Sequence, residues 1–261
     1  MATYLDRIIA AHRAQAAEDR RSVEALREAA LACPPARGFT QAIADADGLA
    51  VIAEVKRASP SKGDLNVGLD PARVAAAYAA GGATCLSVLT DVDWFQGSPE
   101  DLQAARAAVE VPVLRKDFTV AAADVCDARI MGADAVLLIV AALDDAELAD
   151  LHALAVEVGL DVLVEVHDEP ELERALAVGA TLVGVNQRDL VTFEVDTERA
   201  VRMAPKMPAG VVRVAESGVR GVPDATLLAE AGYHAVLVGE SLVTAGDHAA
   251  AVAALRRIGH S

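Results

Sequence analysis

The sequence has few of the residues that small secreted or metal-binding proteins use as cross-links. Its three cysteines, Cys33, Cys85 and Cys126, are far apart and form no Cys-x-x-Cys motif or Cys/His cluster. We therefore expect neither a disulfide framework nor a metal site. Because reduced thiols are typical of a reducing compartment, we also expect a cytoplasmic protein.

Long apolar runs are missing as well. No stretch of about 18 uncharged apolar residues occurs, so no membrane span is expected. The first 30 residues include Asp6, Glu18 and Glu24, acids that a signal or transit peptide would not carry. The formal net charge of −16 argues against binding to nucleic acid, although a few local cations could still hold an anionic ligand.

Lysine is scarce among the basic residues. Of 23 basic residues, only Lys56, Lys62, Lys116 and Lys206 are lysines. Arginine stays protonated in proteins, whereas a lysine can be tuned to give or take a proton. Two interpretations are open at this point: a compositional bias, or lysines kept where a proton must move. Their positions relative to the predicted strands separate the two.

Short runs rich in Val, Leu, Ile and Ala recur along the chain, with helical stretches between them. Such nearly continuous runs are typical of parallel strands that are covered on both faces. Asp70-Pro71, Ser98-Pro99, Asp144 and Asp168 are predicted helix N-termini between them. The predicted strands are Ala50–Val55, Thr84–Leu89, Val111–Arg115, Asp134–Val140, Leu160–Glu165, Thr181–Val185, Val211–Ala215 and Ala235–Gly239.

Eight strand–helix units in a chain of 261 residues predict one α/β domain over residues 1–261, a (β/α)₈ or TIM barrel. No GxGxxG or GxxxxGK[ST] motif follows the first strand, which argues against a nucleotide-binding fold. Residues 1–48 precede the barrel, and Tyr4 to Ala32 has helical spacing that ends at Cys33-Pro34-Pro35. We interpret this extension as a cover over the barrel mouth; an oligomer contact is the alternative. The residues leave the oligomeric state open, and we favour a monomer.

Charged and amide side chains collect at the carboxyl ends of the predicted strands, where TIM-barrel enzymes form their active sites. Alternation along the first strand places Glu54 and Lys56 on one face. Buried charges are costly unless they are compensated, so a ring of them favours function over chance. Neighbouring Lys and Glu also shift one another's pKa values, which suits acid–base chemistry. The ring consists of Glu54, Lys56, Lys116, Glu165, Asn186 and Glu216.

Small residues follow the last two predicted strands. Glu216-Ser217-Gly218 and Gly239-Glu240-Ser241 allow backbone N–H groups to approach an anion beside a helix start. Arg188 and Ser59 could complete such a site, and tight turns are the alternative reason for either glycine. The pattern predicts a small phosphorylated substrate.

In order, these motifs resemble the indole-3-glycerol phosphate synthase family of tryptophan biosynthesis, over essentially the whole chain. The resemblance implies a carboxy-lyase that converts 1-(2-carboxyphenylamino)-1-deoxyribulose 5-phosphate to indole-3-glycerol phosphate, losing CO₂ and water. It also implies that neither a metal nor an organic cofactor is needed. The matching stretches are residues 52–61, 89–91, 95–98, 114–118, 164–167, 184–190, 215–218 and 238–241.

The resemblance also implies roles for the site residues. Lys116 is the acid near the ribulose carbonyl oxygen, and Lys56 and Glu165 are the donor and base of the dehydration, with the division between the lysines left open. Glu54, Asn186 and Glu216 would orient these groups. The phosphate group would bind Ser59, Arg188, Ser217, Gly218, Gly239 and the amide of Glu240, and the ring would face Pro60, Phe95, Phe118 and Leu190.

Three positions depart from the commonest pattern of the family: Gln187, where Asn is frequent, Gly38, which interrupts an Arg-Asp-Phe sequence, and Glu240. Glu240 stands where the family often has a small residue, so its side chain must point away from a phosphate. Ordinary packing is the alternative role for each ring-facing residue, and we interpret His167 as a helix-entry or packing residue. The rival functions are another phosphosugar barrel, such as phosphoribosylanthranilate isomerase or a Schiff-base aldolase, and a non-enzymatic phosphate-binding barrel. The long N-terminal segment and two mouth lysines favour the synthase.

Overall fold

A computed structural model describes residues 3–60, 62–189 and 192–259. Eight parallel strands pair in chain order and close into a barrel, with β8 hydrogen-bonded to β1. The predicted α/β fold class, a (β/α)₈ barrel with additional N-terminal helices, is confirmed. The strands are β1 Ala50–Val55, β2 Cys85–Leu89, β3 Val113–Lys116, β4 Ala135–Ile139, β5 Asp161–Val166, β6 Leu182–Asn186, β7 Val212–Glu216 and β8 Ala235–Val238.

Helices cover the outside of the barrel, and local signals place their first residues. Asp70, Ser98, Asp144 and Asp168 each accept a hydrogen bond from a backbone N–H three residues on, as predicted for N-caps. Within the described residues, no helix is both long and apolar enough to cross a membrane. The helices are α1 Tyr4–Glu18, α2 Val23–Leu31, α3 Phe39–Ala44, α4 Pro71–Ala80, α5 Pro99–Ala107, α6 Ala122–Ile130, α7 Asp145–Glu157, α8 Glu169–Ala177, α9 Arg199–Met203, α10 Val222–Glu230, α11 Glu240–Val243 and α12 His248–Arg256.

Strand boundaries differ from the prediction by one residue at most starts and ends, and by two at the start of β3. At the mouth, β4 and β8 end one residue earlier than predicted, at Ile139 and Val238, and β5 ends one residue later, at Val166. The strands β3, β6 and β7 continue one residue further, to Lys116, Asn186 and Glu216. In the ladder, Asn186 pairs with Glu216 and Leu89 pairs with Lys116. The backbones of these polar residues are therefore held by sheet hydrogen bonds rather than by loops, which fixes their side chains more firmly.

Side chains alternate between the barrel interior and the surrounding helices. Because alternation has a period of two, Glu54, Lys116, Glu165, Asn186 and Glu216 share the inward phase and form the layer at the mouth. Apolar side chains fill the layers below. The inward-facing apolar residues are Ala50, Ile52, Cys85, Leu114, Ala135, Leu137, Ile139, Leu163, Leu182, Val214, Ala235 and Leu237.

The N-terminal segment forms three separate helices with three different partners. In α1, Tyr4, Leu5 and Ile8 line the cavity at the mouth. The helix α2 packs on the side of the barrel against α6. In α3, Phe39 and Ile43 are buried among the inward-facing apolar residues.

The position of α3 shows that residues 1–48 do not all cover the mouth of the barrel. Ala50, Ala135 and Ala235 begin their strands with small side chains, which leave room for Phe39 at that end of the barrel. The backbone N–H of Thr40 donates to Asp161, the first residue of β5, at 2.9 Å. The helix α3 thus closes the amino end of the barrel, and α1 is the part that reaches the mouth.

Candidate active site

A cavity of about 640 Å³ opens at the carboxyl ends of the strands. Every predicted site residue that the structure describes lines it; Leu190 lies outside the described residues. The lining therefore includes Glu54, Lys56, Ser59, Pro60, Phe95, Lys116, Phe118, Glu165, Asn186, Arg188, Glu216, Ser217, Gly218, Gly239 and Glu240.

Lys116 lies between two carboxylates at the centre of this cavity. Its Nζ is 3.2 Å from Glu165 Oε2 and 3.7 Å from Glu216 Oε2. Burial alone lowers the pKa of Lys116, but the charges of Glu165, Glu216 and Glu54 outweigh it and raise the pKa above its ordinary value. Lys116 is therefore a protonated donor in the free protein.

The two carboxylates beside Lys116 are not equivalent. Burial raises the pKa of Glu165, but Lys116, His167 and a hydrogen bond from Asn186 outweigh it, so the net pKa is lowered. Burial and the nearby charge of Glu165 raise the pKa of Glu216 to about 8. At neutral pH the pair therefore consists of an ionised Glu165 and a protonated Glu216.

Glycine at position 184 makes room for Glu216. A methyl group there would overlap Glu216 Oε1, which is buried and has no hydrogen-bond partner among the described residues. That oxygen is therefore a buried polar atom without a partner among the described residues, and its position depends on the absence of a side chain at Gly184.

A second lysine–carboxylate pair lies on β1. Lys56 Nζ is 2.6 Å from Glu54 Oε1, and Ser87 Oγ donates to the other carboxylate oxygen at 3.4 Å. A methyl group at Gly239 would overlap Glu54 Oε1 and lie 2.9 Å from Lys56 Nζ. Gly239 thus provides the close approach that lets this pair enter the mouth.

Asn186 connects the proton-handling groups to the cationic side of the cavity. Its Nδ2 donates to Glu165 Oε1 at 2.9 Å, and its Oδ1 accepts the backbone N–H of Arg188 at 3.0 Å. The Arg188 guanidinium in turn donates to the carbonyl oxygen of Phe193 at 3.0 Å. One side chain, Asn186, therefore contacts both the Glu165 carboxylate and the backbone of Arg188.

The turn after β7 presents backbone groups to the same side. Ser217 and Gly218 both have positive φ, 65° and 76°, and Gln187 Nε2 holds the turn by donating to the Ser217 carbonyl at 2.8 Å. Glu240 Oε1 forms an ion pair with Lys62 Nζ at 3.1 Å. This pair gives the Glu240 carboxylate a cation and leaves its backbone N–H for an anion.

Aromatic side chains lie on the opposite wall. The rings of Phe95 and Phe118 are 6.2 Å apart between centroids, and the His12 ring lies 5.3 Å from Phe118. Leu5 and Ile8 of α1 line the same cavity. A flat, largely apolar ring fits this wall, while charged groups of the ligand fit the β6–β8 side.

Sequence reasoning missed the residues that hold α1 at the mouth. The Tyr4 ring lies 5.2 Å from both Trp94 and Phe193, which follow β2 and β6. His12 Nε2 is 3.0 Å from Asp91 Oδ2. These partners are far from α1 in the sequence, and the spacing of residues within α1 does not indicate which of them contact the mouth loops.

His12, Asp91 and Asp117 form the one group within the described part of the chain that is close enough to hold a metal ion. Asp117 already pairs with Arg115 at 2.9 Å and accepts a hydrogen bond from Thr90. Asp91 accepts the backbone N–H groups of Trp94 and Phe95. Because both carboxylates already have partners within the protein, we interpret this cluster as a set of polar contacts that holds α1 against the loops at the mouth.

The positions of the lysines answer the question left by composition. Lys56, Lys62 and Lys116 line the cavity. Lys206 forms a surface ion pair with Glu169 at 2.8 Å, where both side chains are exposed. The arrangement as a whole can protonate an oxygen, remove a nearby proton and hold an anion on the side away from the aromatic wall.

Comparison with solved structures supports the barrel. Thiamine phosphate pyrophosphorylase from Pyrococcus furiosus superposes with a TM-score of 0.61 at 17% identity, over 80% of this chain and 94% of that chain. N-acetylmannosamine-6-phosphate 2-epimerase from Clostridium perfringens gives 0.60 at 12% identity, over 76% and 89%. At these identities the likeness shows the fold alone.

Sequence relatives are much closer. The indole-3-glycerol phosphate synthase of Mycolicibacterium smegmatis is 52% identical over 256 residues, and that of Mycobacterium tuberculosis H37Rv is 50% identical. Both alignments cover 97% of this chain and 94% of the relative. The family profile described as indole-3-glycerol phosphate synthase matches residues 5–255. The chain therefore belongs to the indole-3-glycerol phosphate synthase family.

Proposed function

We propose that this chain converts 1-(2-carboxyphenylamino)-1-deoxyribulose 5-phosphate to indole-3-glycerol phosphate, CO₂ and water. The observation that carries the proposal is the position of the Lys116 Nζ between two buried carboxylates, 3.2 Å from Glu165 Oε2 and 3.7 Å from Glu216 Oε2. This places one donor and one base beside each other in the cavity of a chain that belongs to the synthase family.

Ring closure needs an acid at the ribulose carbonyl oxygen. The aromatic carbon that carries the carboxylate attacks the carbonyl carbon, and Lys116 donates a proton to the oxygen as the new bond forms. Loss of CO₂ then restores the aromatic ring and leaves a hydroxyl on the newly bonded carbon. Lys116 is suited to the first step because the flanking carboxylates keep it protonated until the oxygen develops negative charge.

Dehydration removes that hydroxyl together with a proton from the neighbouring carbon. Glu165 is the base, because its lowered pKa keeps it ionised at neutral pH. Lys56 is the second available donor, and Glu54 holds its Nζ at 2.6 Å. Asn186 and Glu216 orient the reacting groups, Asn186 through its bond to Glu165.

The polar side of the cavity binds the phosphate group in this proposal. Its ligands are the side chains of Ser59, Arg188 and Ser217 and the backbone of Gly218, Gly239 and Glu240, with Lys62 offsetting the Glu240 charge. The anthranilate ring lies against Phe95, Phe118 and Pro60. Since the cations Lys56 and Lys116 lie between these two regions, the substrate spans them with its reactive carbon at the centre.

We infer further that the chain works as a cytoplasmic monomer without a metal or organic cofactor. General acid–base chemistry by the residues above accounts for every bond change in the reaction. The negative net charge argues against nucleic-acid partners, and we expect no membrane association.

The test is a fluorescence assay of indole-3-glycerol phosphate formation from the carboxyphenylamino substrate. Turnover by the purified protein is expected, and no turnover by well-folded protein would refute the proposal. Borohydride reduction with substrate present separates the rival aldolase. A trapped lysine–substrate adduct would favour the rival, because the synthase reaction passes through no enzyme-bound imine.

A further inference from the structure

His167 occupies a position for which packing alone gives no reason. It follows the last residue of β5, two residues after Glu165, and its side chain is largely buried. Its Nε2 is buried, lies 3.7 Å from Glu165 Oε1 and has no hydrogen-bond partner among the described residues. Burying a nitrogen without a hydrogen-bond partner costs folding free energy, so its position next to a carboxylate calls for an explanation other than packing.

Glu171 holds the other side of the His167 ring. Glu171 Oε2 lies 3.0 Å from His167 Nδ1 and accepts the backbone N–H of His167 at 2.7 Å. With Nδ1–H donated to Glu171, the second proton of an imidazolium must sit on Nε2, which faces Glu165. The ring orientation is thus set by the first turn of α8.

The charges around His167 favour its protonated form. Burial lowers the pKa of His167, but the hydrogen bond to Glu171 and the charges of Glu165 and Glu171 outweigh burial and the opposing Arg199, so the pKa is raised. Glu165 faces the ring from β5, Glu171 from α8 and Arg199 from α9. The Arg199 guanidinium is already bonded to the Asn186 carbonyl oxygen at 2.9 Å.

Among the described residues, Lys116 and His167 both lie within 4 Å of the Glu165 carboxylate, whereas Lys116 is the one cationic side chain that close to Glu216. Lys116 cannot by itself decide which carboxylate is ionised, because it lies near both, at 3.2 and 3.7 Å. We propose that His167 is a positioning residue: its ring, held by Glu171 at 3.0 Å, lies 3.7 Å from Glu165 and supplies the second cation that stabilises the Glu165 carboxylate. This inference rests on the proposed function for its consequence, since Glu165 is the base of that reaction.

The first test is an NMR pH titration of protein labelled with ¹⁵N-histidine. The His167 signals are assigned by their loss in His167→Asn. In the unaltered protein His167 should titrate above its ordinary value. In Glu165→Gln and in Glu171→Gln its midpoint should fall by about one pH unit, the low end of the effect of a close opposite charge. The titration midpoint of His152 should not change, because burial alone lowers the pKa of this half-buried histidine.

The second test is the pH profile of kcat/KM. In His167→Asn the acid limb should move up by about one pH unit, because Glu165 then loses a neighbouring cation. Glu171→Gln, which keeps the ring, should move it in the same direction, and the matched control His152→Asn should leave it in place. The comparison uses the difference in the position of the acid limb between variants, because the substrate phosphate titrates in the same pH range in every one of them.

Two results would overturn the inference. One is a His167 midpoint in the unaltered protein at or below its ordinary value. The other is a His167→Asn enzyme with lower turnover but an unmoved acid limb, as for a residue that only packs. If the unaltered protein shows no turnover, the proposed function fails, and the NMR titration still decides the role of His167. If His167→Asn does not fold, His167→Gln provides the assignment, and the midpoints in Glu171→Gln and Glu165→Gln with the acid limb of Glu171→Gln give the same decision.

Discussion

Replacing Glu165 with glutamine should separate catalysis from stability in this cavity. The amide keeps the shape of the side chain and can still accept the hydrogen bond from Asn186, but it removes the base. We expect kcat to fall by about 10² or more, the usual loss for a general base. Folding should suffer little, because a second carboxylate is available to Lys116.

The expected stability follows from the distances. A charge pair at 3.2 Å contributes roughly 5 kcal/mol at an effective dielectric constant of about 20, before desolvation is subtracted. When Glu165 is neutral, the burial that raises the pKa of Glu216 remains, but the added effect of the Glu165 charge is gone. The pKa of Glu216 therefore falls, and its carboxylate becomes available to pair with Lys116. Glu165→Gln should therefore cost only about 1 kcal/mol. Glu216→Gln should also cost little, because Glu216 is protonated at pH 7.

The double variant removes both partners and leaves Lys116 without a close carboxylate. A buried ion that loses its partner costs about 3–5 kcal/mol, so the double variant should be less stable than the sum of the single variants. Denaturant unfolding of all four proteins at pH 7, with kcat measured on each, completes the cycle. If Glu165→Gln alone were as unstable as the double variant, or turned over at a near-normal rate, the reasoning would be refuted.

Three further substitutions probe other parts of the cavity. Arg188→Ala should raise KM about tenfold or more and change kcat little, since it removes a charge-assisted bond to the phosphate; a kinetic effect confined to kcat would contradict this. Burial lowers the pKa of His12, but its hydrogen bond to Asp91 and the charges of Asp91, Asp117 and Asp124 together outweigh burial and raise the pKa. Docking of α1 should therefore be strongest below pH 6.5 and weaken as the pH rises through the raised pKa of His12. Hydrogen exchange of α1, corrected for intrinsic rates, should show this, and His12→Asn should abolish it. Gly184→Ala should displace Glu216 and lower kcat in a protein that still folds; unchanged kinetics would show that the site tolerates the methyl group.

The barrel was predictable because parallel strands covered on both faces leave nearly continuous apolar runs. Alternation along the first strand then placed Glu54 and Lys56 on one face, and position at the carboxyl ends of the third and fifth strands placed Lys116 and Glu165 at the same mouth. Neither inference needs a contact between distant residues. Each uses only local periodicity and the rule that barrel sites form at the carboxyl ends of strands.

The path of the N-terminal segment was not predictable in the same way. Phe39 is apolar and sits in a helical stretch, but only the three-dimensional barrel shows that small residues at its amino end leave space for the ring. The contact of His12 with Asp91 joins residues 79 positions apart and depends on which face of α1 meets the mouth. For His167, alternation gave the phase shared with Glu165, while the direction of Nε2 is set by Glu171 on the next helix.

The most direct test of the central claim compares the unaltered protein with Lys116→Met on the carboxyphenylamino substrate. Indole-3-glycerol phosphate and CO₂ are measured together, with unfolding curves to verify that both proteins fold. We expect the unaltered protein to form indole-3-glycerol phosphate and CO₂ in equal amounts. In Lys116→Met we expect kcat to be lower by about 10² or more. Near-normal turnover by Lys116→Met, or no product from folded unaltered protein, would contradict the central claim.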